Sequence, residues 1–188
     1  FTYCKTLWNK TIMSNLRLIN ETTTTAGVQT VNITDVFSDE FQIYKIVGAN
    51  MLGNNSTSSG NNLRFINSSG AVISSGYIYA QKVQKGETSS SVNQGSEVRL
   101  FNFFNSVDDS GASPSNVGYV FNPTNTNSYT FAMWQSIGRP SNNLRMYKGI
   151  GVYPQLASIT GFQVELNESA SEFAGGGKIQ TYGLRVDT

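Results

Sequence analysis

Short apolar or alternating segments recur along the chain, and clusters of Gly, Asn, Ser and Pro separate them. Typical clusters are "GNNSTSSGNN", "NSSG", "DDSGASPSN" and "GRPSNN", whose residue types favour turns. Many short strands at such spacing predict an all-β fold, an antiparallel sandwich or barrel. The segments are Leu16–Asn20, Val28–Ile33, Phe41–Leu52, Leu63–Asn67, Val72–Val83, Val98–Phe104, Gly118–Asn122, Tyr129–Ile137, Leu144–Tyr153, Ile159–Leu166 and Ile179–Val186.

One stretch allows a second interpretation. "SEVRLFNFFNS" at 96–106 comes nearest to a helical stripe, and it fits either a short helix or an edge strand.

The last segment alternates polar and apolar residues, which is typical of a half-buried strand. We expect Tyr182, Leu184 and Val186 to point inward. We also expect this strand to pair on both sides, because two ladders of backbone hydrogen bonds would hold the chain end against the flexibility of Gly175–Gly177.

A tight turn within "GRPSNN" would set the register of the two strands around it. If the turn centres between Pro140 and Ser141, Phe131 faces Ile150, Ile137 faces Leu144 and Tyr129 faces Val152 on the inner side. Together with the periodicity of the other segments, this register predicts a core that contains Phe131, Ile150, Phe162, Val164, Tyr182 and Leu184.

The same register puts Trp134 opposite Tyr147 on the outer side, with Arg145 beside Ser136. Two interpretations stay open. The pair either stabilises the sheet beneath a loop or a second subunit, or forms an aromatic platform for a sugar ring or a protein partner. The candidate ligand or partner surface comprises Trp134, Tyr147, Arg145 and Tyr153.

Composition limits the classes of partner. The chain has 188 residues, enough for one domain with a substantial core, and only 13% of them are charged. The net charge is +1, and Lys5 and Lys10 leave a net −1 from Met13 onward. Because nucleic-acid binding needs a basic patch and membrane insertion needs about 18 consecutive apolar residues, we expect neither.

The first residues differ in character from the rest. "FTYCKTLWNKTI" crowds aromatic residues among two lysines, and "MSNLRLINETT" then reads like a fresh start at Met13. Residues 1–12 are either upstream-derived sequence outside the domain or an arm that buries Leu7 and Trp8 on a neighbouring subunit. Residues 13–188 are expected to form the single domain.

Catalytic and metal-binding chemistry is sparse. The chain has no histidine, and its one cysteine, Cys4, lies in the opening segment. Acidic clusters at Asp35, Asp39 and Glu40 and at Asp108 and Asp109 could serve a glycosidase or bind calcium, but acids among Gly and Ser are more often turn formers. We expect no enzyme activity, no metal and no cofactor.

Three stretches together resemble a β-jelly-roll domain of tailed bacteriophages, particularly marine ones. They are "MSNLRLINETTTTAGVQTVNITDVFSDEFQIYKIV" (13–47), "NLRFINSSGAVISSGYIYA" (62–80), and "GYVFNPTNTNSYTFAMWQS" (118–136) with "ITGFQVEL" (159–166) and "GGGKIQTYGLRV" (175–186). The likeness rests on strand and turn character. It implies a two-sheet jelly roll on the particle exterior, either a capsid decoration or a tail-fibre head.

The resemblance also implies partners and a location. These are other virion proteins, further copies of the chain with a trimer favoured, and host-surface glycan as an additional target on the virion surface. A carbohydrate-binding module or lectin-like adhesin without a virion role is the alternative function, and a glycan-cleaving enzyme comes third.

Overall fold

A computed structural model of the protein describes residues 15–54, 60–86, 90–105, 114–138, 144–166 and 172–185. Over these ranges the chain contains twelve β-strands and no helix, so the predicted all-β class is confirmed. The strands are β1 (Leu16–Thr23), β2 (Thr30–Ile33), β3 (Ile43–Ala49), β4 (Gly60–Asn67), β5 (Tyr77–Lys85), β6 (Ser91–Glu97), β7 (Leu100–Asn105), β8 (Ser115–Phe121), β9 (Thr130–Gly138), β10 (Arg145–Tyr153), β11 (Ile159–Leu166) and β12 (Lys178–Leu184).

The strands form two antiparallel sheets packed face to face. The larger sheet has the order β1-β12-β3-β8-β9-β10-β5-β6, and the smaller has the order β2-β11-β4-β7. Strands β1-β12-β3-β8 opposite β2-β11-β4-β7 make the eight-stranded jelly roll, in which each successive strand crosses to the other sheet except from β4 to β7, which pair within the smaller sheet. The predicted β-sandwich with jelly-roll topology is thus confirmed.

Four more strands extend the larger sheet beyond the jelly roll. β9 and β10 continue from β8, and β5 and β6 occupy the chain between β4 and β7. The stretch 96–106 fitted a short helix or an edge strand, and its described part, 96–105, contains the end of β6 and strand β7, an edge of the smaller sheet.

β12 pairs with β1 on one side and β3 on the other, as predicted for the last strand. Its inward residues differ from the prediction where they are described, and Val186, also expected to point inward, lies outside the described residues. Ile179, Thr181 and Gly183 are buried, whereas Tyr182 and Leu184 are half-buried on the opposite face. The bare Cα of Gly183 admits the ring of Phe41, since a Cβ there would lie 2.4 Å from that ring.

The core lies between the two sheets and is dominated by aromatic rings. Phe162 and Val164 are fully buried there, as predicted. The ring of Phe37 stacks on Phe162 at 5.8 Å and meets Tyr44 edge-on at 4.7 Å, which joins β11 of one sheet to β3 of the other.

The predicted inner and outer sides of β9 and β10 are reversed in the structure. Phe131 is 45% exposed and Ile150 is 63% exposed, so neither belongs to the core. Trp134 is 2% exposed, and its ring stacks on Phe103 of β7 at 5.4 Å between the sheets.

Glycines on the inner side explain this reversal. Gly149 is the cross-strand partner of Trp134, and a Cβ on Gly149 would lie 2.2 Å from the indole ring. Gly118, on the other neighbouring strand, leaves similar room for the ring of Phe103. The large rings occupy the space that these glycines leave, and therefore Trp134 must point inward.

The predicted register was also wrong by two positions along β10. Phe131 pairs with Val152, Ile150 with Met133, and Gly138 with Arg145. The connection between Gly138 and Arg145 is therefore centred one residue later than expected, and residues 139–143 at its tip lie outside the described residues.

Candidate functional site

The outer face of the larger sheet, the side turned away from the smaller sheet, carries two continuous rows of mainly apolar side chains. The first row crosses the sheet through successive ladder partners: Leu16, Leu184, Ile43, Phe121, Phe131, Val152, Ile78 and Ser96. The second consists of Leu18, Tyr182, Lys45, Tyr119, Met133, Ile150, Ala80 and Gln94. We call these two rows the apolar band.

The next row along the strands is mixed. It contains Glu21, Gln180, Val47, Val117, Gln135, Lys148, Lys82 and Val92. Lys82 and Lys148 are direct cross-strand partners. In the direction from the start of β1 to its end, the outer face therefore changes from the apolar band to a row that mixes valines with polar and charged side chains.

The part of the band on β8, β9, β10 and β5 forms a groove of ≈ 730 Å³. Its walls are hydrocarbon from Ile78, Phe121, Phe131, Met133, Ile150 and Val152. Gln94 is the polar member of the band in this lining, Tyr79 belongs to the core between the sheets, and no charged residue lines the groove within the described chain.

Aromatic rings lie at one end of this groove. Tyr119 and Phe121 stand two residues apart on the same face of β8, and their rings stack at 6.5 Å. Phe131 pairs with Phe121 on the neighbouring strand. The arrangement can bury a partner's apolar surface and stack against flat groups.

The apolar band exposes a substantial apolar area. Its five most exposed side chains are Leu18, Ile78, Phe131, Met133 and Ile150, at 41–63% exposure, and they alone present about 500 Å² if a large side chain has about 200 Å² in full. The largest patch on a typical monomer is about 300–600 Å² and is often functional.

The structure does not bring the four predicted site residues together on an open surface. Trp134 and Tyr147 are both buried on the inner side, Tyr147 at 8% exposure, so their predicted position on the outer side was wrong. Arg145 and Tyr153 are half-buried at opposite ends of β10, and the ring of Tyr153 lies 5.5 Å from Tyr77. A surface role for Arg145 and Tyr153 stays a prediction.

The acidic residues that the sequence analysis singled out have turn or ion-pair roles at the positions where the structure describes them. Asp35 has a left-handed backbone conformation with φ 56°, which suits a turn residue, and Glu40 forms a 2.6 Å ion pair with Arg17. Asp108 and Asp109 lie outside the described residues. Over the described ranges, no group of three or more Cys, Asp or Glu side chains is placed to hold a metal ion.

Burial and hydrogen bonding also explain the shifted pKa values of Tyr77 and Glu21. Burial raises the pKa of Tyr77, whose hydroxyl accepts a 2.7 Å bond from the Phe65 amide and donates to the Ile73 carbonyl at 3.2 Å. Hydrogen bonds from Lys178 and Gln180 lower the pKa of Glu21 on the exposed edge of the sheet. Neither group opens into the apolar groove.

Comparison with known proteins adds little. No protein-family model matches the sequence, and no curated protein sequence matches it significantly. A variant of family 7 alginate lyase A1-II′ solved with substrate is similar over 84% of this chain and 66% of its own, at 9% identity and a TM-score of 0.25. A second structure of that lyase matches over 82% and 66%, at 11% identity and a TM-score of 0.22. The chain thus spans slightly under two thirds of these lyases' length, at a similarity that transfers no activity.

Membrane-spanning helices are likewise not found: none of the described segments forms a helix long and apolar enough to cross a bilayer.

Sequence reasoning missed the apolar band because its members come from eight different strands. Each row depends on seven ladders in register, most of them between segments distant along the chain. One local signal was present in β10, where Gly149 and Gly151 alternate with Ile150 and Val152. Glycines on one side of a strand often mark close approach of another group, which here is the ring of Trp134.

Proposed function

We propose that the protein is a non-enzymatic structural component on the exterior of a tailed-bacteriophage particle, either a capsid decoration or the head of a tail fibre. In this role it contacts other virion proteins and presents its loops outward, with host-surface glycan as a further target. The sequence resemblance described above suggests the phage assignment, and the jelly-roll topology is compatible with it.

One observation carries the non-enzymatic part of the proposal. The groove on the outer face is walled by hydrocarbon, and its lining in the described chain contains no carboxylate, lysine or arginine. Acid–base and nucleophilic catalysis need titratable groups that converge on a reacting atom. A surface of this chemistry binds another surface, which suits a protein that assembles into a particle.

Immunogold electron microscopy tests the particle assignment. The genes beside the coding sequence identify the phage, and its particles are grown on the host and purified on a density gradient. Antibody against the recombinant chain is expected to label intact particles at the head or at the fibre tips, and peptides of the chain should be found in those particles by mass spectrometry. Particles without label and without peptides would refute the proposal.

A carbohydrate-binding module is the second candidate. The side-by-side rings of Tyr119, Phe121 and Phe131 favour it, because sugar rings stack on aromatic faces. A glycan array with the wild-type chain and Phe131→Ala separates the two functions. Glycan binding that is lost in Phe131→Ala supports a carbohydrate-binding module. An array without binding would count against the module and leave the structural role as the remaining candidate.

A further inference from the structure

We infer that the apolar band is the contact surface for a second copy of this chain, packed face to face on the larger sheet. This inference goes beyond the particle role, because a decoration or fibre protein can also be attached as a single copy. It assigns the expected self-association to one defined surface.

The area of the band suits such a contact. A stable interface of standard size buries about 800 Å² on each partner. The five most exposed side chains of the band present about 500 Å² of apolar surface, which is close to the non-polar share of such an interface, a little over half of its area. A single sugar would leave most of this surface exposed.

Strands β9 and β10 are patterned as if both of their faces were buried. The inner side holds Trp134 and Tyr147, and the outer side holds Phe131, Met133 and Ile150. Antiparallel strands with one solvated face normally alternate apolar and polar residues, whereas strands covered on both faces do not. The fold needs only the inner set, so the outer set indicates a second covering layer.

The charges on this face fit a copy of the chain better than a strongly charged partner. On β8, β9, β10 and β5 the band has no charged residue, and Lys45 lies apart on β3. Lys82 and Lys148 stand in the next row, at the rim of the band. An identical surface brings no new charge to the apolar centre and leaves these lysines in water, as in the polar rim of most interfaces.

The sheet edge beside the groove is unsuited to self-association by strand pairing. β6 is the edge strand, and its sequence, "SVNQGSE", is polar apart from Val92. Polar and charged edge strands discourage edge-to-edge contacts. Strand pairing at this edge is therefore disfavoured relative to packing on the face beside it.

Ile150→Lys in the full-length chain tests the inference, with Leu156→Lys as its matched control. Both residues are about equally exposed, at 63% and 62%, but Leu156 lies in the connection between β10 and β11 and is not a member of the band. Mass is measured by sedimentation equilibrium from about 1 to 100 µM, which covers the weak, micromolar end of the affinities of standard-size interfaces.

We expect wild type and Leu156→Lys to be oligomers with the same dissociation constant. Ile150→Lys should raise that constant at least about a hundred-fold, because each copy would bury an unpaired charge. Face-to-face packing of two identical bands closes as a two-fold dimer, so we expect the mass of a dimer, and a trimer would contradict this geometry. A monomeric wild type, or an oligomer that Ile150→Lys leaves intact, would overturn the inference.

A milder substitution covers the case in which Ile150→Lys fails to fold. In a Cys4→Ser background, the thiol of Ile150→Cys should react with iodoacetamide slowly at high protein concentration and quickly after dilution. The thiol of Leu156→Cys should react at the same rate at both concentrations. If the Ile150→Cys thiol reacted at the same rate at both concentrations, the inference would be contradicted.

The N-terminal segment is the competing occupant of the band. The full-length double variant Leu7→Asp, Trp8→Asp keeps the sheet surface but removes two of the segment's apolar side chains. We expect this variant to associate like wild type. Its dissociation would assign the band to residues 1–12 and refute packing between sheets.

Discussion

The contact between Trp134 and Gly149 is the sharpest test of which side of the larger sheet faces inward. The indole lies against the bare Cα of Gly149 on one side and stacks on Phe103 of the opposite sheet at 5.4 Å. The Gly149→Ala substitution would place a methyl group 2.2 Å from the ring carbons. Since the ring is held between two sheets, it cannot move aside without disturbing Phe103.

The magnitude follows from overpacking in a filled core. Extra methyl groups in well-packed interiors cost about 1–3 kcal/mol, and the severity of this approach places Gly149→Ala near the upper end of that range. For a domain of this size each kcal/mol lowers the melting temperature by about 2–4 °C, so we expect a loss of about 5–10 °C.

Gly95→Ala is the matched control. Gly95 lies in β6 of the same sheet, and its nearest neighbour to a new Cβ would be the Glu97 carboxylate at 3.5 Å, an ordinary contact. Alanine there should be neutral or slightly stabilising, because glycine loses more backbone entropy on folding.

Urea denaturation followed by tryptophan fluorescence measures both variants, and Trp134→Phe completes a double-mutant cycle with circular dichroism as the probe. In the Trp134→Phe background the smaller ring should leave room for the methyl group of Gly149→Ala, so the interaction free energy between the two substitutions should be about 1 kcal/mol or more. If Gly149→Ala were as stable as Gly95→Ala, Trp134 would be free to swing away, and the inward placement of its side chain would be wrong.

Three further predictions concern other parts of the fold. Tyr77→Phe should lower the free energy of unfolding by about 1–3 kcal/mol in urea, because the Phe65 amide loses its partner, whereas Tyr129→Phe on the surface should not. Glu21→Gln should lower the melting temperature only where the Glu21 carboxylate is ionised. The hydrogen bond from Lys178 lowers the pKa of Glu21 from 4.5 in the folded state, so the carboxylate stabilises the fold fully above pH 4.5 and loses this effect as the pH falls through the folded-state pKa. The melting temperatures of wild type and variant should therefore converge in acid. Deleting residues 179–188 should abolish folding, since β12 pairs with both β1 and β3, and a soluble truncation with a cooperative melting transition would contradict this.

Sequence reasoning succeeded where local pattern and turn chemistry agree. Clear alternation with a single apolar side predicted Phe162 and Val164 in the core, and the strand count and turns predicted the sandwich. The position of β12 also followed, because a terminal strand needs partners for its backbone groups.

The same reasoning failed where both faces of a strand are apolar. In β9 the alternation of Phe131 and Met133 with Ala132 and Trp134 does not tell which set is inside, because either set is hydrophobic enough for a core. The choice is made by Phe103 and Gly149, which reach Trp134 only in the folded chain. An error of one residue in the turn centre then moved every cross-strand pair by two positions.

The four strands added to the jelly roll connect the fold with the proposed interface. The eight-stranded jelly roll already closes both sheets without β5, β6, β9 and β10. Yet these added strands hold Ile78, Phe131, Met133 and Ile150, the side chains that make the groove most apolar. Exposed hydrocarbon on an insertion does not stabilise the fold that carries it, and it increases the risk of aggregation. Its presence there is explained if the added strands widen the sheet to receive another surface, as proposed above.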